Sequence, residues 1–305
     1  MRVAPDVPMR ARQAAIDHAR ACFLRACWLD VAVRKPGNVS QWSPGHDMQA
    51  SMFIASAQAA AGPLFEPGAR VGERIEAAVA ATWAAVGCNT NLGIVLLCAP
   101  MAVAIERCGD ACSPSALRAA LQATLATLDV ADAQAAFRAI VQANPGGLGS
   151  APSGDVHADP EMDLRAAMTL AAERDRIARQ YRDDFSDVWT LAPSAPAAVM
   201  TATGDAPDAV TVAAVQRLYL RCLSAFEDSH IVRKHGQRVA HTVMTAAQAW
   251  RARVQADDTL VLDDDHAFRA WDESLKAARI NPGTSADLTV AALMLSGVTS
   301  AASPL

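Results

Sequence analysis

Aromatic side chains are scarce: 7 Phe, 6 Trp and 2 Tyr make up 5% of 305 residues, although 52% of the chain is hydrophobic. Alanine supplies the difference, and alanine is the strongest helix former. Strands draw on β-branched and aromatic residues, and no sustained alternation of apolar and polar residues occurs, so the composition predicts an all-α protein. Metal spacing is lacking too. None of the seven cysteines (22, 27, 88, 98, 108, 112 and 222) forms a CxxC pair, and His230 and His235 stand five apart, off a common helix face. The odd cysteine number and the apolar runs around several of them predict small buried thiols in a reducing compartment. The G-x-S-x-G elbow and the dinucleotide and Walker glycine patterns are absent. A net charge of −5 with scattered basic residues argues against a nucleic-acid partner. The start of the chain lacks the basic-then-apolar order of a signal peptide, and a cytoplasmic protein is expected.

What is present is a chain long enough for a sizeable core. It reads as a single domain, 1–305, with a hinge expected in the proline-rich stretch 193–208. Helices are expected over 9–34, 49–61, 70–86, from the apolar run after 91 to about 107, and over 113–128 and 130–142. Further helices are expected over 160–182, 208–226, 237–255 and 265–278, with a last one after Ser285 as N-cap. Ser113-Pro114 is a strong helix start. The charged stretch 160–182 reads as a solvated face. The run 77–105 has no charged residue and is long enough to raise a membrane span. Gly87, Asn89-Thr90-Asn91, Gly93 and Pro100 instead favour two buried antiparallel helices joined near 87–90. Such a bundle is expected to be free of the membrane and is compatible with a homo-oligomer.

Four polar breakers interrupt the apolar helices: 35–48, 88–91, 227–236 and 281–287. At Asn89, Thr90 and Asn91 two readings stand, a capped helix start or amides that face a ligand in the bundle core. The glycine-rich stretch 144–157 is a flexible loop or an anion-binding nest. Together the breakers hold Asp47, Glu227, Asp228 and Asp287 with Lys35, Arg233 and Lys234. That inventory suits a polyphosphate with Mg2+, which needs one or two carboxylates besides phosphate oxygens. Bundle proteins build sites from such elements converging in the core.

The blocks Lys35-Pro-Gly-Asn-Val, His46-Asp-Met48, Cys88-Asn-Thr-Asn-Leu-Gly93, Asp228-Ser-His-Ile-Val-Arg233 and Pro282-Gly-Thr-Ser-Ala-Asp-Leu288 occur in the order found in triphosphoribosyl-dephospho-CoA synthases. The chain resembles that all-α family from 35 to 288. The resemblance implies transfer of the triphosphoribosyl group of ATP to the 2′-hydroxyl of dephospho-CoA, with release of adenine. Substitution at an anomeric carbon wants a carboxylate near an oxocarbenium-like state, and the hydroxyl needs a base. On this basis Asp47 and Asp228 are expected to carry Mg2+ or act on the sugar, with His46 as base. Lys35, Arg233 and Lys234 are expected to hold the triphosphate, with Asn38, Asn89, Thr90, Asn91, Ser285 and Asp287 binding substrate. The chain departs from the family at Asn91-Leu92, where His-Lys is usual, and in having no residue between His46 and Asp47, where the family usually has one. The departures suggest a divergent branch, with two alternatives: a related pentose-transfer step in one-carbon cofactor biosynthesis, or a helical protein that binds nucleotide without turnover.

Overall fold

Two helices are apolar on every side, and a helix of that kind belongs in an interior. In the computed structural model, which describes residues 9–109, 113–145, 155–195, 199–200, 206–257 and 260–300, both lie at the centre. One is α4, Leu92–Cys108, buried at every position from Leu92 to Ile105. The other is α14, Gly283–Ser300, buried from Thr284 to Gly297 except at Asp287. The described residues form fourteen α-helices and no strand.

Around this pair the chain runs α1 (Met9–Ala32), α2 (Ala50–Leu64) and α3 (Val71–Val86), then, after α4, α5 (Pro114–Ala126) and α6 (Val130–Ala143). Next come the short α7 (Leu164–Ala171), α8 (Arg176–Arg182) and α9 (Ser186–Leu191). The last third holds α10 (Ala209–Leu223), α11 (Ser229–His235), α12 (Gln237–Ala256), α13 (His266–Ala277) and then α14. The uncharged run 77–105 does divide into two helices, α3 and α4, with Gly87 in the left-handed conformation ending the first. No described helix is long and apolar enough to cross a membrane.

The expected helix over 160–182 is broken. Asp175 accepts backbone N–H groups of Ile177 and Ala178 at 2.9 and 3.1 Å and so starts α8 afresh. Ser285 is not an N-cap; it lies inside the first turn of α14. The breaker 227–236 contains a helix of its own, α11. Much of the expected hinge and of the glycine-rich stretch, residues 196–198, 201–205 and 146–154, lies outside the described residues. Cys22, Cys27, Cys98 and Cys222 are buried free thiols and Cys88 a half-buried one. Cys108 departs from the thiol reading, being disulfide-bonded.

A main hydrophobic cluster spans α1 to α9 and the far side of α14. A second joins α10 to α13, and α10 contributes to both through Val215, Leu218 and Cys222 on one side and Tyr219, Leu220 and Leu223 on the other. Four of the few aromatics, Tyr219, Trp250, Phe268 and Trp271, belong to the second cluster; Trp250 meets Phe268 edge-on at 5.1 Å and stacks with Trp271 at 6.4 Å.

The two clusters are tied together where α1 ends. The fully buried Asp272 of α13 accepts from Arg34 Nη1 at 2.8 Å, Gly37 N at 2.9 Å and Lys276 Nζ at 3.0 Å. Lys276 also donates to Ser43 O at 3.1 Å, and Tyr219 Oη to Pro36 O at 2.8 Å. Gly37 has φ 81°, and a Cβ there would come within 2.8 Å of Ile280 O and Pro282 Cδ. The loop 33–49 is therefore pinned against the second cluster.

Asp272→Ala leaves two cations and an amide facing a buried vacancy, and removing one partner of a buried ionic group costs about 3–5 kcal/mol. Urea unfolding should show a loss of that order. A loss below about 1 kcal/mol would mean the loop is held by packing alone.

Candidate active site

A basin of about 730 Å3 opens where the four polar breakers meet. Its walls come from the end of α1 (Asp30), the loop after it (Asn38, His46) and the start of α4 (Asn89 to Gly93). Arg174 and Asp175 before α8, His230, Arg233 and Lys234 of α11, and Asn281 to Asp287 at the start of α14 complete them. Phe53, Phe137, Ile140, Met168 and Ile177 add an apolar side.

The turn Gly45–Met48 places the first functional group. Gly45 and Met48 exchange backbone hydrogen bonds at 2.9 and 3.3 Å, while His46 and Asp47 have φ values of 57° and 63°. Two successive left-handed residues make a type I′ turn, and its tip sends its two side chains apart. His46 turns in, its Nε2 donating to Gly37 O at 2.8 Å. A carbonyl can only accept, so Nε2 carries the proton and Nδ1 keeps a lone pair. Burial, opposed by that hydrogen bond and reinforced by Lys234, Lys276 and Arg279, holds its pKa below the ordinary imidazole value. Asp47 turns out, 81% exposed, toward Arg279 at 3.5 Å. The structure does not bring Asp47 into the basin.

Lys35, expected to hold the triphosphate, is fully buried and does not line the basin. Its Nζ meets Asp30 Oδ1 at 2.6 Å, donates to Asn38 Oδ1 and lies 5.4 Å from the centre of the Tyr219 ring. Asn38 in turn donates to Asn281 Oδ1 at 3.1 Å. Lys35 thus fixes two side chains that line the basin, Asp30 and Asn38. Asp30 was missed from sequence because it sits inside a helical stripe, yet an acid between the buried Leu29 and Val31 was the available signal.

Asp228 has no free lone pair to offer a metal. Its Oδ1 accepts from His230 N and Ile231 N at 2.9 and 3.2 Å, capping α11. Its Oδ2 accepts from Ser285 N and Ser285 Oγ at 2.7 and 2.8 Å. Burial raises its pKa and these bonds oppose the rise. Both Asp228 and Ser285 are structural groups behind the wall of the basin.

Asp287 does face the basin, and it makes no hydrogen bond or ion pair among the described residues. Burial first, then Asp30, Asp228 and Asp175, push its pKa well up, against a smaller opposing effect of Lys35. Gly93 makes room for it: a Cβ there would fall 2.7 Å from Asp287 Cγ and 2.5 Å from Ile177 Cδ1. The glycine of the 88–93 block is thus needed because a carboxylate packs against the first turn of α4.

The Asn-Thr-Asn cluster divides its roles. Asn89 Oδ1 accepts from Leu92 N at 3.1 Å and caps α4. Thr90 Oγ1 donates to Ser56 Oγ at 2.6 Å. Asn91 is buried at the basin wall and makes no side-chain cap. The cations stand toward the outside: Lys234 and Arg174 are exposed, and Arg233 pairs with Asp175 at 3.4 Å. Asp175 and Arg174, read from sequence as solvated, belong to the basin because the helix breaks at that point.

His230 packs its ring over Gly283, where a Cβ would lie 2.8 Å from Nδ1. Burial first, then Arg233 and Lys234, push its pKa down to about 3, so it is neutral at physiological pH. Among the described residues no group of three His, Cys, Asp or Glu side chains is placed to hold a metal ion.

The family model for CitG, ATP:dephospho-CoA triphosphoribosyl transferase, matches residues 16–303 of the chain. None of the curated proteins matches it. A crystal structure from Archaeoglobus fulgidus, of a provisionally assigned triphosphoribosyl-dephospho-CoA synthase, superposes with a TM-score of 0.61 at 24% identity. It covers 81% of this chain and 98% of its own, a likeness in fold.

Gly93→Ala should displace Asp287 and cost about 1–3 kcal/mol, the range for overpacking. Gly93→Ala combined with Asp287→Ala should recover part of that stability, the contact with Ile177 remaining, and a single variant as stable as wild type would refute the close packing. The pH dependence follows from His230. Between about pH 3 and 6.5 the unfolded chain binds a proton there that the folded chain refuses, so stability falls as pH drops through that window. His230→Gln should reduce proton uptake on unfolding by about one in that range, read from urea midpoints; an unchanged acid limb would contradict the buried neutral imidazole.

Proposed function

The chain belongs to the ATP:dephospho-CoA triphosphoribosyl transferase family, and on that premise we propose that the basin moves the triphosphoribosyl group of ATP to the 2′-hydroxyl of dephospho-CoA, releasing adenine. The observation that carries this reading is His46. It is half-buried in the basin with one ring nitrogen committed to Gly37 O, which leaves Nδ1 as a proton acceptor beside carboxylates and cations. A base near the hydroxyl is what the transfer requires, and such a group typically contributes about 10²–10⁴ in rate.

Arg233, Lys234 and Arg174 at the mouth would meet the triphosphate. Asp30, locked by Lys35, would face the positive charge that develops on the sugar as its bond to the base weakens. Mg2+ fits this basin only as a partner of the nucleotide. Among the described residues of the lining, Asp30 and Asp175 are paired with Lys35 and Arg233 and Asp287 has no partner, so Asp287 would hold the ion, which suffices when phosphate oxygens and water fill the remaining positions. When bound, the ion would neutralise phosphate charge. The sequence-based pair for it, Asp47 and Asp228, does not fit, the first being outside the basin and the second saturated by four hydrogen bonds. Five free thiols among the described residues suit a reducing compartment, and on this reading the protein works in the cytoplasm.

The assay is adenine release from Mg-ATP with dephospho-CoA as acceptor. Wild type should release adenine only when both are present. His46→Gln and Asp30→Asn should each lower kcat at least about a hundredfold, whereas Asp47→Asn should stay within about twofold, as an exposed surface change does. Equal damage from Asp47→Asn and His46→Gln would relocate the site, and no adenine from wild type would remove the transferase reading.

A further inference from the structure

Buried polar atoms in folded proteins nearly always have a partner. Among the residues that line the basin, Asn91 Nδ2 and His230 Nε2 are shut off from solvent with no hydrogen-bond partner. Asp30 Oδ1, similarly enclosed, does meet Lys35 Nζ. Asn91 is only 5% exposed, and leaving such a group unpaired costs about 1–3 kcal/mol. Neither side chain repays that cost in the fold. Asn89 already caps α4, and Asp228 already caps α11.

The two groups sit on one continuous wall. His230 lies over Gly283, and Asp287, one turn further along α14, lies against Gly93, two residues from Asn91. An amide and a neutral imidazole do not balance a phosphate, and the cations that could are at the mouth. The apolar side chains Phe137, Ile140, Met168 and Ile177 line the same basin. Neutral hydrogen-bonding groups beside apolar surface suit a flat, uncharged heterocycle with acceptor nitrogens.

We propose that Asn91 and His230 hold an adenine ring through its ring nitrogens at the inner end of the basin. This rests on the transferase reading, in which both substrates carry adenine. If the ring is that of ATP, the bond from C1′ to N9 breaks with its electron pair passing into the purine. Hydrogen bonds from Asn91 and His230 then stabilise the charge that develops there. The sugar carbon gains the acceptor oxygen, and the proton given up by the 2′-hydroxyl equals the proton that neutral adenine gains.

The test is calorimetric titration of the full chain with free adenine and, separately, with magnesium tripolyphosphate. Asn91→Leu should weaken adenine binding at least about tenfold, leave tripolyphosphate binding unchanged, and leave the apo protein as stable as wild type or more so, since an unpaired buried donor is removed. His230→Phe should act alike on adenine. A merely structural Asn91 would lower apo stability and spare the difference between the two ligands, which would overturn the proposal. So would wild type that binds tripolyphosphate and turns over ATP but does not bind adenine, with the transferase reading still standing. If wild type binds neither ligand and releases no adenine from ATP, that reading falls as well. Where adenine binds, competition tells its source: displacement by ATP alone gives the leaving base, and by dephospho-CoA alone the acceptor's base; each supports the proposal.

Discussion

One carboxylate holds the working parts of this protein in register. Asp228 is almost fully buried, and a buried carboxylate is tolerated only when its lone pairs are occupied. Here they are: Oδ1 takes two N–H groups of α11, and Oδ2 takes the backbone and hydroxyl of Ser285 in α14. The helix that carries His230, Arg233 and Lys234 is thereby fixed against the helix that carries Asp287. Two short helix starts, each weak by itself, become one rigid corner.

The remaining charges follow the same logic at different depths. Deep inside, Lys35 holds Asp30 and Asn38 in place, and Asp272 holds the loop that carries His46. At mid-depth the groups are neutral or short of partners: His46, His230, Asn91 and Asp287. At the mouth stand Arg174, Arg233 and Lys234. A nucleotide entering such a gradient would meet cations with its phosphates first and uncharged groups with its base and sugar last. Buried ion pairs contribute little net stability as a rule, and in this chain their evident effect is to fix the orientation of the side chains that line the basin.

The helical architecture was legible because alanine-rich composition, capping residues and the uncharged run 77–105 all point the same way. The convergence of four polar breakers was legible as well, since polar groups between buried helices must meet something. Individual roles were not. Lys35, Asp47 and Asp228 are chemically suitable for phosphate or magnesium, and sequence alone does not say which way a side chain faces. The type I′ turn at Gly45–Met48 turns Asp47 out and His46 in, a matter of backbone dihedrals. Asp30 and Asp175 were passed over for the opposite reason. Each sits in a helical context that reads as ordinary packing or solvated charge until the neighbouring elements are in place.

If the four breakers form one ligand site, a single nucleotide should quieten all of them at once. Hydrogen–deuterium exchange with and without Mg-ATP measures this segment by segment. Slowed exchange in 34–48, 88–93, 228–236 and 281–287 together is the result this account predicts. Slowed exchange at the arginine-lined hollow around Arg70 and Arg107, with those four segments unchanged, would contradict it.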